Sequence, residues 1–242
     1  MDAFKKKFLE LVFPRHCLGC NIFMPEATSG YVCGKCSRDI PIKKEFSCAF
    51  CMAPVTLGAT CPFCRRDYYL DRLLVTANYE NRLVEEMVKK LKYEFIKTLA
   101  PNIAEVMARF WLKNISGNIR LKKWPPLIIP VPLYPARERW RGFNQSAEIS
   151  SKLGEILGWP VAKNVIEKEK NTLPQTEVAD QNSRIRNVVG AFSCHQPETI
   201  SNQTVLLVDD VSTTGSTLND CARSLKSSGA EEVVGFVFAR NR

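Results

Sequence analysis

Residues 204–218 read TVLLVDDVSTTGSTL and constrain the fold more than any other part of the chain. The apolar run 204–208 is rich in β-branched residues and too short for a helix, so it predicts a strand buried on both faces, as in a parallel sheet. Asp209 and Asp210 follow directly, and Gly215 precedes a helix that we expect to begin near Ser216. A strand, a turn and a helix in this order predict an α/β protein with a parallel sheet.

The same stretch combines two acids with a hydroxyl-rich loop. Ligands of open α/β sheets bind beyond the carboxyl ends of the strands, and the first turn of a helix offers unpaired N–H groups that suit a phosphate. We therefore predict that Asp209 and Asp210 hold a diol or a metal ion. The predicted phosphate loop comprises Thr213, Thr214, Gly215, Ser216 and Thr217. The alternative is a solvated acidic turn with helix-capping hydroxyls, whereas a Walker-type loop is excluded because no Gly-Lys-Ser/Thr occurs.

Eight of the ten cysteines lie in residues 17–64 as four C-x-x-C pairs, which are Cys17/Cys20, Cys33/Cys36, Cys48/Cys51 and Cys61/Cys64. This spacing lets two thiolates converge on one tetrahedral ion, and two pairs complete a four-cysteine zinc site. Disulfides and a redox thiol pair are the alternatives, and four tandem pairs favour zinc over both. We predict two structural zinc ions. Sequential pairing is favoured over a cross-braced arrangement, which stays open, and His16 is a possible substitute ligand.

A second apolar segment, residues 127–132, precedes three arginines within five residues, which are Arg137, Arg139 and Arg141. Guanidinium groups bind phosphate oxygens in pairs, and this loop follows a predicted strand, so we predict that it contacts phosphate. The alternative is a surface loop of ion pairs around Glu138. A helix is predicted over residues 144–157.

Other segments give weaker predictions. Residues 81–93 show apolar positions at helical spacing, with Lys89, Lys90 and Lys92 on the other side, where a solvated face is favoured over a DNA contact. Residues 159–165 are predicted to form a strand. We therefore predict three regions in the chain, which are a short amphipathic helix at 1–15, a double zinc ribbon at 16–66 and an α/β domain at 67–242.

The formal net charge is +9, from 34 basic and 25 acidic residues, which suits a polyanionic partner without identifying it. No run approaches the roughly 18 apolar residues that span a membrane. The first residues lack the pattern of a secretory signal peptide. We therefore predict a cytoplasmic protein without a membrane-spanning segment.

Three motifs behind the cysteine pairs, V-P-L-x-x-x-R, R-G-F-N-Q and V-D-D-V-S-T-T-G-S-T, resemble those of the ComF-type competence proteins. Enterobacterial relatives that carry a gluconate-uptake name look similar too. The resemblance covers essentially the whole chain. It implies a type I phosphoribosyltransferase-like parallel sheet with helices on both faces, preceded by a small cysteine-rich zinc-ribbon domain.

The resemblance also implies a ligand, phosphoribosyl pyrophosphate with magnesium. In that family of folds the two acids hold the ribose hydroxyls and the loop after them holds the 5′-phosphate. Leu133, Arg137 and Arg141 lie where the pyrophosphate binds. The segment that the family keeps between its two main motifs contains Gln175, Arg184 and Asn187.

Three functions remain open from the sequence. The first is competence, in which the protein handles incoming single-stranded DNA, with DNA-uptake proteins as possible partners. Trp140 and Phe143 beside the arginines then predict a stacking and charge platform. The second is a phosphoribosyltransferase that acts on a small base or amine, and the third is a non-catalytic sensor of phosphoribosyl pyrophosphate.

Overall fold

The computed structural model describes residues 14–25, 30–117, 125–171 and 190–241. Most of the predicted N-terminal helix, residues 1–13, lies outside the described residues. The same holds for three predicted site residues, Gln175, Arg184 and Asn187.

A parallel sheet of four strands forms the centre of the described fold, in the order β1-β6-β5-β2. A separate antiparallel pair is formed by β3 and β4. The strands are β1 (Arg72–Asn78), β2 (Leu127–Pro130), β3 (Ile166–Lys168), β4 (Phe192–Cys194), β5 (Thr204–Ser212) and β6 (Glu232–Arg240). The two central strands, β5 and β6, are the longest, and each pairs on both edges.

Helices cover both faces of the sheet. They are α1 (Gly34–Asp39), α2 (Arg82–Tyr93), α3 (Ala100–Phe110), α4 (Pro135–Arg141), α5 (Gln145–Leu157), α6 (Pro197–Ile200) and α7 (Ser216–Ser227). Leu206 and Val208 of β5 pack in one core with α2, α3 and α5. Val205 and Leu207, which point to the opposite face, pack in a second core with α7. The predicted α/β architecture is confirmed.

The predicted first or last residues of two strands are wrong. β5 does not end at residue 208 but runs to Ser212, since its last residues pair with β6 up to Arg240. Residues 159–165 make only a single bridge to the sheet, between Val161 and Ile128, and the regular strand begins at Ile166. Both differences depend on distant pairing partners.

The cysteine-rich region packs directly on the α/β domain. The amide of Lys43 donates to Thr76 O (2.8 Å), and that of Thr60 donates to Asp71 O (2.8 Å), so both halves of the region line the edge of the sheet beside β1. Val32 and Ile40 belong to the same core as α3. Within the part of the chain that the structure describes, no helix has the length and apolar character needed to cross a bilayer.

Candidate functional site

Asp209 and Asp210 lie near the carboxyl end of β5. Asp210 is 1% exposed, and one of its oxygens, Oδ1, accepts the amide of Val211 at 2.8 Å. Its other oxygen, Oδ2, is buried and has no hydrogen-bond partner among the described residues. Asp209 Oδ1 accepts its neighbour's amide at 2.9 Å. Burial and the charge of Asp210 raise the pKa of Asp209 to about 7, against the opposing effect of a nearby ammonium group.

That ammonium belongs to Lys92, whose Nζ lies 3.0 Å from Asp210 Oδ1. The prediction that Lys92 lies on a solvated face is therefore wrong. Burial lowers the pKa of Lys92, but Asp210 and Asp209 raise it more, so the pKa lies above its ordinary value. A sequence signal existed, because Lys92 continues the spacing of four set by Val84 and Val88, both of which are buried in α2.

The R-G-F-N-Q motif holds the end of β2 against β5. Asn144 caps α5 by accepting the amide of Ser146 at 2.9 Å, and it donates to Val131 O at 3.0 Å. Ser146 in turn donates its hydroxyl to Asp209 Oδ1 at 2.7 Å. Phe143 is buried in the core at 8% exposure, which overturns its prediction as a stacking residue. The motif thus positions one acid of the pair.

The predicted arginine loop is a short helix, α4, which starts at Pro135 after Leu133 and Tyr134. Burial lowers the pKa of Arg141, and Asp210 opposes that effect across the site. Burial likewise lowers the pKa of Lys168, helped by Arg137 and opposed by Asp209. Arg141 and Lys168 therefore lie within electrostatic reach of the acid pair, and Arg137 lies within reach of both basic groups, so residues from β3, α4 and β5 come together here.

The predicted phosphate loop connects β5 to α7. Gly215 adopts φ 81°, the left-handed region that glycine enters at no steric cost, and it is the N-cap of α7. The hydroxyls of Thr214 and Ser216 lie 2.8 Å apart, and the amide of Ser216 donates to Thr214 Oγ1 at 3.3 Å. The turn therefore collects hydroxyl groups around a helix N-terminus, which suits an anion.

The eight paired cysteines form two separate clusters, and the favoured sequential pairing agrees with the structure. One contains Cys17, Cys20, Cys33 and Cys36, and the other contains Cys48, Cys51, Cys61 and Cys64. Within each cluster the sulfurs lie within 4.8 Å of one another. Thiolates bound at ~2.3 Å to a tetrahedral zinc ion would lie ~3.8 Å apart, and Cys20 and Cys33 are separated by 3.8 Å. Two zinc ions fit these clusters.

Backbone amides lower the pKa of one cysteine in each cluster, whereas burial and the neighbouring thiols raise that of another, Cys36 or Cys64. Burial raises the pKa of Cys17, but amides of residues 33, 20 and 19 donate to its sulfur and lower the pKa to about 6. In the second cluster, three backbone amides donate to the sulfur of Cys48. They outweigh the effect of burial and lower its pKa to about 6. All ten cysteines, which are all among the described residues, are free of disulfide bonds.

The second cysteine cluster adjoins the phosphate loop. A Cβ on Gly215 would lie 3.6 Å from the ring of Phe50 and 3.8 Å from the carbonyl of Ala49. The guanidinium of Arg240, at the end of β6, donates to Ala49 O and also to Thr213 O, the latter at 3.3 Å. The first cluster packs against α3, because its Cys17 belongs to the same core as Ile103 and Arg109 of α3 donates to the nearby Ile40 O at 2.9 Å.

The two parts of the chain match two different families of known domains. Residues 140–242 match the phosphoribosyl transferase domain family, and residues 8–67 match the double zinc ribbon domain family. The first match begins inside α4. It therefore leaves β1, α2, α3 and β2 between the two matched regions.

Three characterised relatives align over most of the chain. Competence protein F of Haemophilus influenzae is 28% identical over 232 residues, covering 94% of this chain and 98% of that protein. The DNA utilization protein YhgH of Salmonella typhimurium is 30% identical over 231 residues, covering 92% and 96%. Competence protein ComFC of Bacillus subtilis is 26% identical over 220 residues, covering 87% and 84%. Since the alignment with the Salmonella protein is 30% identical and nearly full-length in both chains, the chain belongs to the family of competence protein F, ComFC and YhgH.

Proposed function

We propose that this protein binds phosphoribosyl pyrophosphate with Mg²⁺ at the acid pair, and that it uses this site while handling incoming single-stranded DNA during natural transformation. One observation carries the ligand proposal. Asp209 and Asp210 lie in the last part of the buried parallel strand β5, which ends at Ser212, and the hydroxyl-rich turn at Gly215 and the start of α7 follow. The carboxylates can accept hydrogen bonds from the ribose hydroxyls, and the turn and helix start can donate hydrogen bonds to the 5′-phosphate.

Each part of the ligand has a matching group. The two carboxylates accept the ribose hydroxyls. Asp209 is half-buried and open to the ligand, whereas Oδ2 of Asp210, which has no partner among the described residues, accepts a hydroxyl once the groups that cover it move. The loop donates to the 5′-phosphate through amides and hydroxyls. Arg137 and Arg141 attract the pyrophosphate, and in a transfer reaction they would stabilise it as it leaves. Mg²⁺, a hard cation that prefers oxygen ligands, would neutralise pyrophosphate charge.

Calorimetric titration of the intact protein with phosphoribosyl pyrophosphate tests the proposal. We expect saturable binding in Mg²⁺ that weakens strongly when Mg²⁺ is left out of the buffer while the zinc content stays unchanged. The absence of binding to well-folded, zinc-loaded protein would end both the transferase and the sensor proposals. If binding is found, turnover with a panel of bases and amines then separates a transferase, which releases pyrophosphate, from a sensor, which does not.

The proposed DNA role is supported by the surface around α4. Every residue of α4 is exposed or half-buried, and Trp140 is 68% exposed between Arg139 and Arg141. The ring of Phe95 contacts Trp140 edge to face, with centroids 4.9 Å apart. An indole beside guanidinium groups suits an unpaired base and its phosphates. The net charge of +9 and the names of the relatives, which refer to competence and DNA utilization, support the same role. A cytoplasmic location is consistent with it and stays a prediction.

Trp140→Ala should weaken binding of an oligothymidylate about 5- to 150-fold, because stacking of a base on an aromatic ring contributes ~1–3 kcal/mol. Fluorescence anisotropy with a labelled oligonucleotide measures this, and Trp140→Phe should retain most of the affinity. Binding should also weaken linearly with the logarithm of salt concentration, by counterion release.

Phe63→Ala serves as the matched comparison, since Phe63 is 75% exposed but lies on the second zinc cluster. An effect of Phe63→Ala without one of Trp140→Ala would place the DNA on the zinc ribbon instead. Binding that does not change with salt would contradict the DNA role altogether.

A further inference from the structure

Lys92 is oriented differently from the other lysines of its helix. Lys89 pairs with Glu85 and Lys90 pairs with Glu94, each at 2.8 Å and each on the helix surface. Lys92 instead reaches across to β5, where its Nζ lies 3.0 Å from Asp210 Oδ1. Its side chain is 23% exposed, whereas the carboxylate that it contacts is almost fully buried at 1%. This contact links α2 to the proposed ligand site.

Both partners of this ion pair stand on rigid elements. The helix α2 is fixed in the core by buried residues on one stripe, which are Val84, Met87, Val88 and Leu91. Asn81 caps the helix by accepting the amides of Leu83 and Val84 at 3.1 and 3.2 Å. Asp210 lies within β5, which is paired with β6 on both sides of this residue. The ammonium is therefore held at the acid pair by the fold.

The charge balance of the site explains what this ammonium does. Two adjacent carboxylates repel each other, and burying them without a counter-charge is costly. A protein can neutralise such a pair with a divalent cation or with a basic side chain. Here Lys92 contacts Oδ1 of Asp210 and leaves the buried Oδ2 without a partner among the described residues. Oδ2 thus remains unpaired, and a ribose hydroxyl reaches it once the groups that cover it move.

We propose that Lys92 is a positioning residue of the phosphoribosyl pyrophosphate site, acting as the built-in counter-cation of Asp209 and Asp210. Its ammonium keeps divalent metal ions off the two carboxylates, so that these accept the ribose hydroxyls. Mg²⁺ is then confined to the pyrophosphate. The ligand part of this inference rests on the proposed function, whereas the exclusion of metal from the acid pair does not.

Metal binding in the absence of any nucleotide or sugar phosphate tests the inference first. Mn²⁺, followed by the loss of its free-ion electron paramagnetic resonance signal, should bind Lys92→Met at least tenfold more tightly than the unsubstituted protein. The added site should disappear in the double variant Lys92→Met/Asp210→Asn. Lys89→Met, which removes one positive charge from the same helix surface, should behave like the unsubstituted protein.

Ligand affinity provides the second measurement. Lys92→Met should bind phosphoribosyl pyrophosphate at least tenfold more weakly in Mg²⁺, and Lys92→Arg should recover part of that loss. Urea unfolding and zinc content establish that each variant is folded, and Lys92→Gln replaces Lys92→Met if the latter does not fold. A role in stability alone would lower the unfolding midpoint without creating a Mn²⁺ site.

The outcomes separate the two proposals. If the unsubstituted protein fails to bind phosphoribosyl pyrophosphate, the proposed function is wrong, and the Mn²⁺ titration alone then decides whether Lys92 excludes metal. If Lys92→Met binds Mn²⁺ no better than the unsubstituted protein, the counter-cation inference is overturned, whatever the affinity for the sugar phosphate.

Discussion

Cys48→Ser is expected to remove one of two bound zinc ions and to weaken binding of Mg²⁺-phosphoribosyl pyrophosphate at least tenfold, although Cys48 lies outside the phosphate loop. The reason is the packing of the second cysteine cluster. Ala49 and Phe50 lie within van der Waals reach of a Cβ built on Gly215, and Arg240 ties Ala49 O to Thr213 O. Loss of the metal would release these contacts, and the loop would lose its fixed shape.

Cys17→Ser should act differently, because the first cluster packs on the helices and not on the loop. Cys17 and Val32 share a core with Ile103 of α3. Removing this zinc should therefore lower the stability of the whole fold, since structural zinc contributes roughly 10–16 kcal/mol of apparent folding free energy in small zinc domains. Ligand affinity of the fraction that stays folded should change less than in Cys48→Ser.

Elemental analysis, thermal unfolding and calorimetry on the same preparations check both substitutions. Cys194→Ser is the control, because Cys194 lies outside both clusters, and it should keep two zinc ions and full affinity. If Cys48→Ser loses one zinc ion but binds the sugar phosphate normally, the second cluster does not support the loop.

Asp209→Asn is expected to lower the affinity for Mg²⁺-phosphoribosyl pyrophosphate at least a hundredfold while leaving the zinc content unchanged. An amide nitrogen at this position would donate where the ribose hydroxyl must also donate. Asp209 is the better choice for substitution than Asp210, because removing Asp210 also leaves Lys92 without its 3.0 Å partner. Breaking a buried ion pair in this way costs about 3–5 kcal/mol of stability.

The pH dependence of the ligand affinity tests the role of Asp209 more specifically. Its pKa is about 7 instead of the ordinary 3.8, so below pH 7 the carboxyl group is largely protonated and is a poorer acceptor for the ribose hydroxyls. Affinity of the unsubstituted protein should therefore rise between pH 6 and pH 8 relative to Asp209→Asn. Titration of the ligand's own phosphates affects both proteins equally and cancels in the ratio.

The free energy of unfolding should fall as the pH rises, which is opposite to the trend in ligand affinity. Because the pKa is raised in the folded state, the folded chain binds this proton more tightly than the unfolded chain does. The stabilisation is then complete below pH 3.8 and is lost as the pH rises to about 7. Asp209→Asn should consequently be more stable than the unsubstituted protein at pH 8, and this difference should shrink towards pH 4. Asp67→Asn, an exposed acid near the second cluster, is the control. Equal pH profiles for both proteins would contradict the role of Asp209.

Local patterns predicted much of this protein. The C-x-x-C spacing brings two sulfurs of a turn together without help from the rest of the chain, and so it indicated the cysteines that form the two clusters. The helix start at Ser216 follows from Gly215 and the hydroxyls around it. The helix beginning at Gln145 follows from its cap, Asn144. In each case the physical cause lies within a few residues of the effect.

What the sequence determined by itself was the core of the strand, the acids and the hydroxyl-rich turn of residues 204–218, together with the eight paired cysteines. Which pairs share a cluster is read from the structure. Only the tertiary structure decided that Lys92 meets Asp210, that Phe143 is buried, and that β5 extends to Ser212. Only the tertiary structure placed Ala49 and Phe50 against the loop at Gly215. The physical reason is separation along the chain. Capping, turns and ligand spacing are set by neighbours, whereas the direction in which a side chain points across the sheet depends on how distant helices and strands pack.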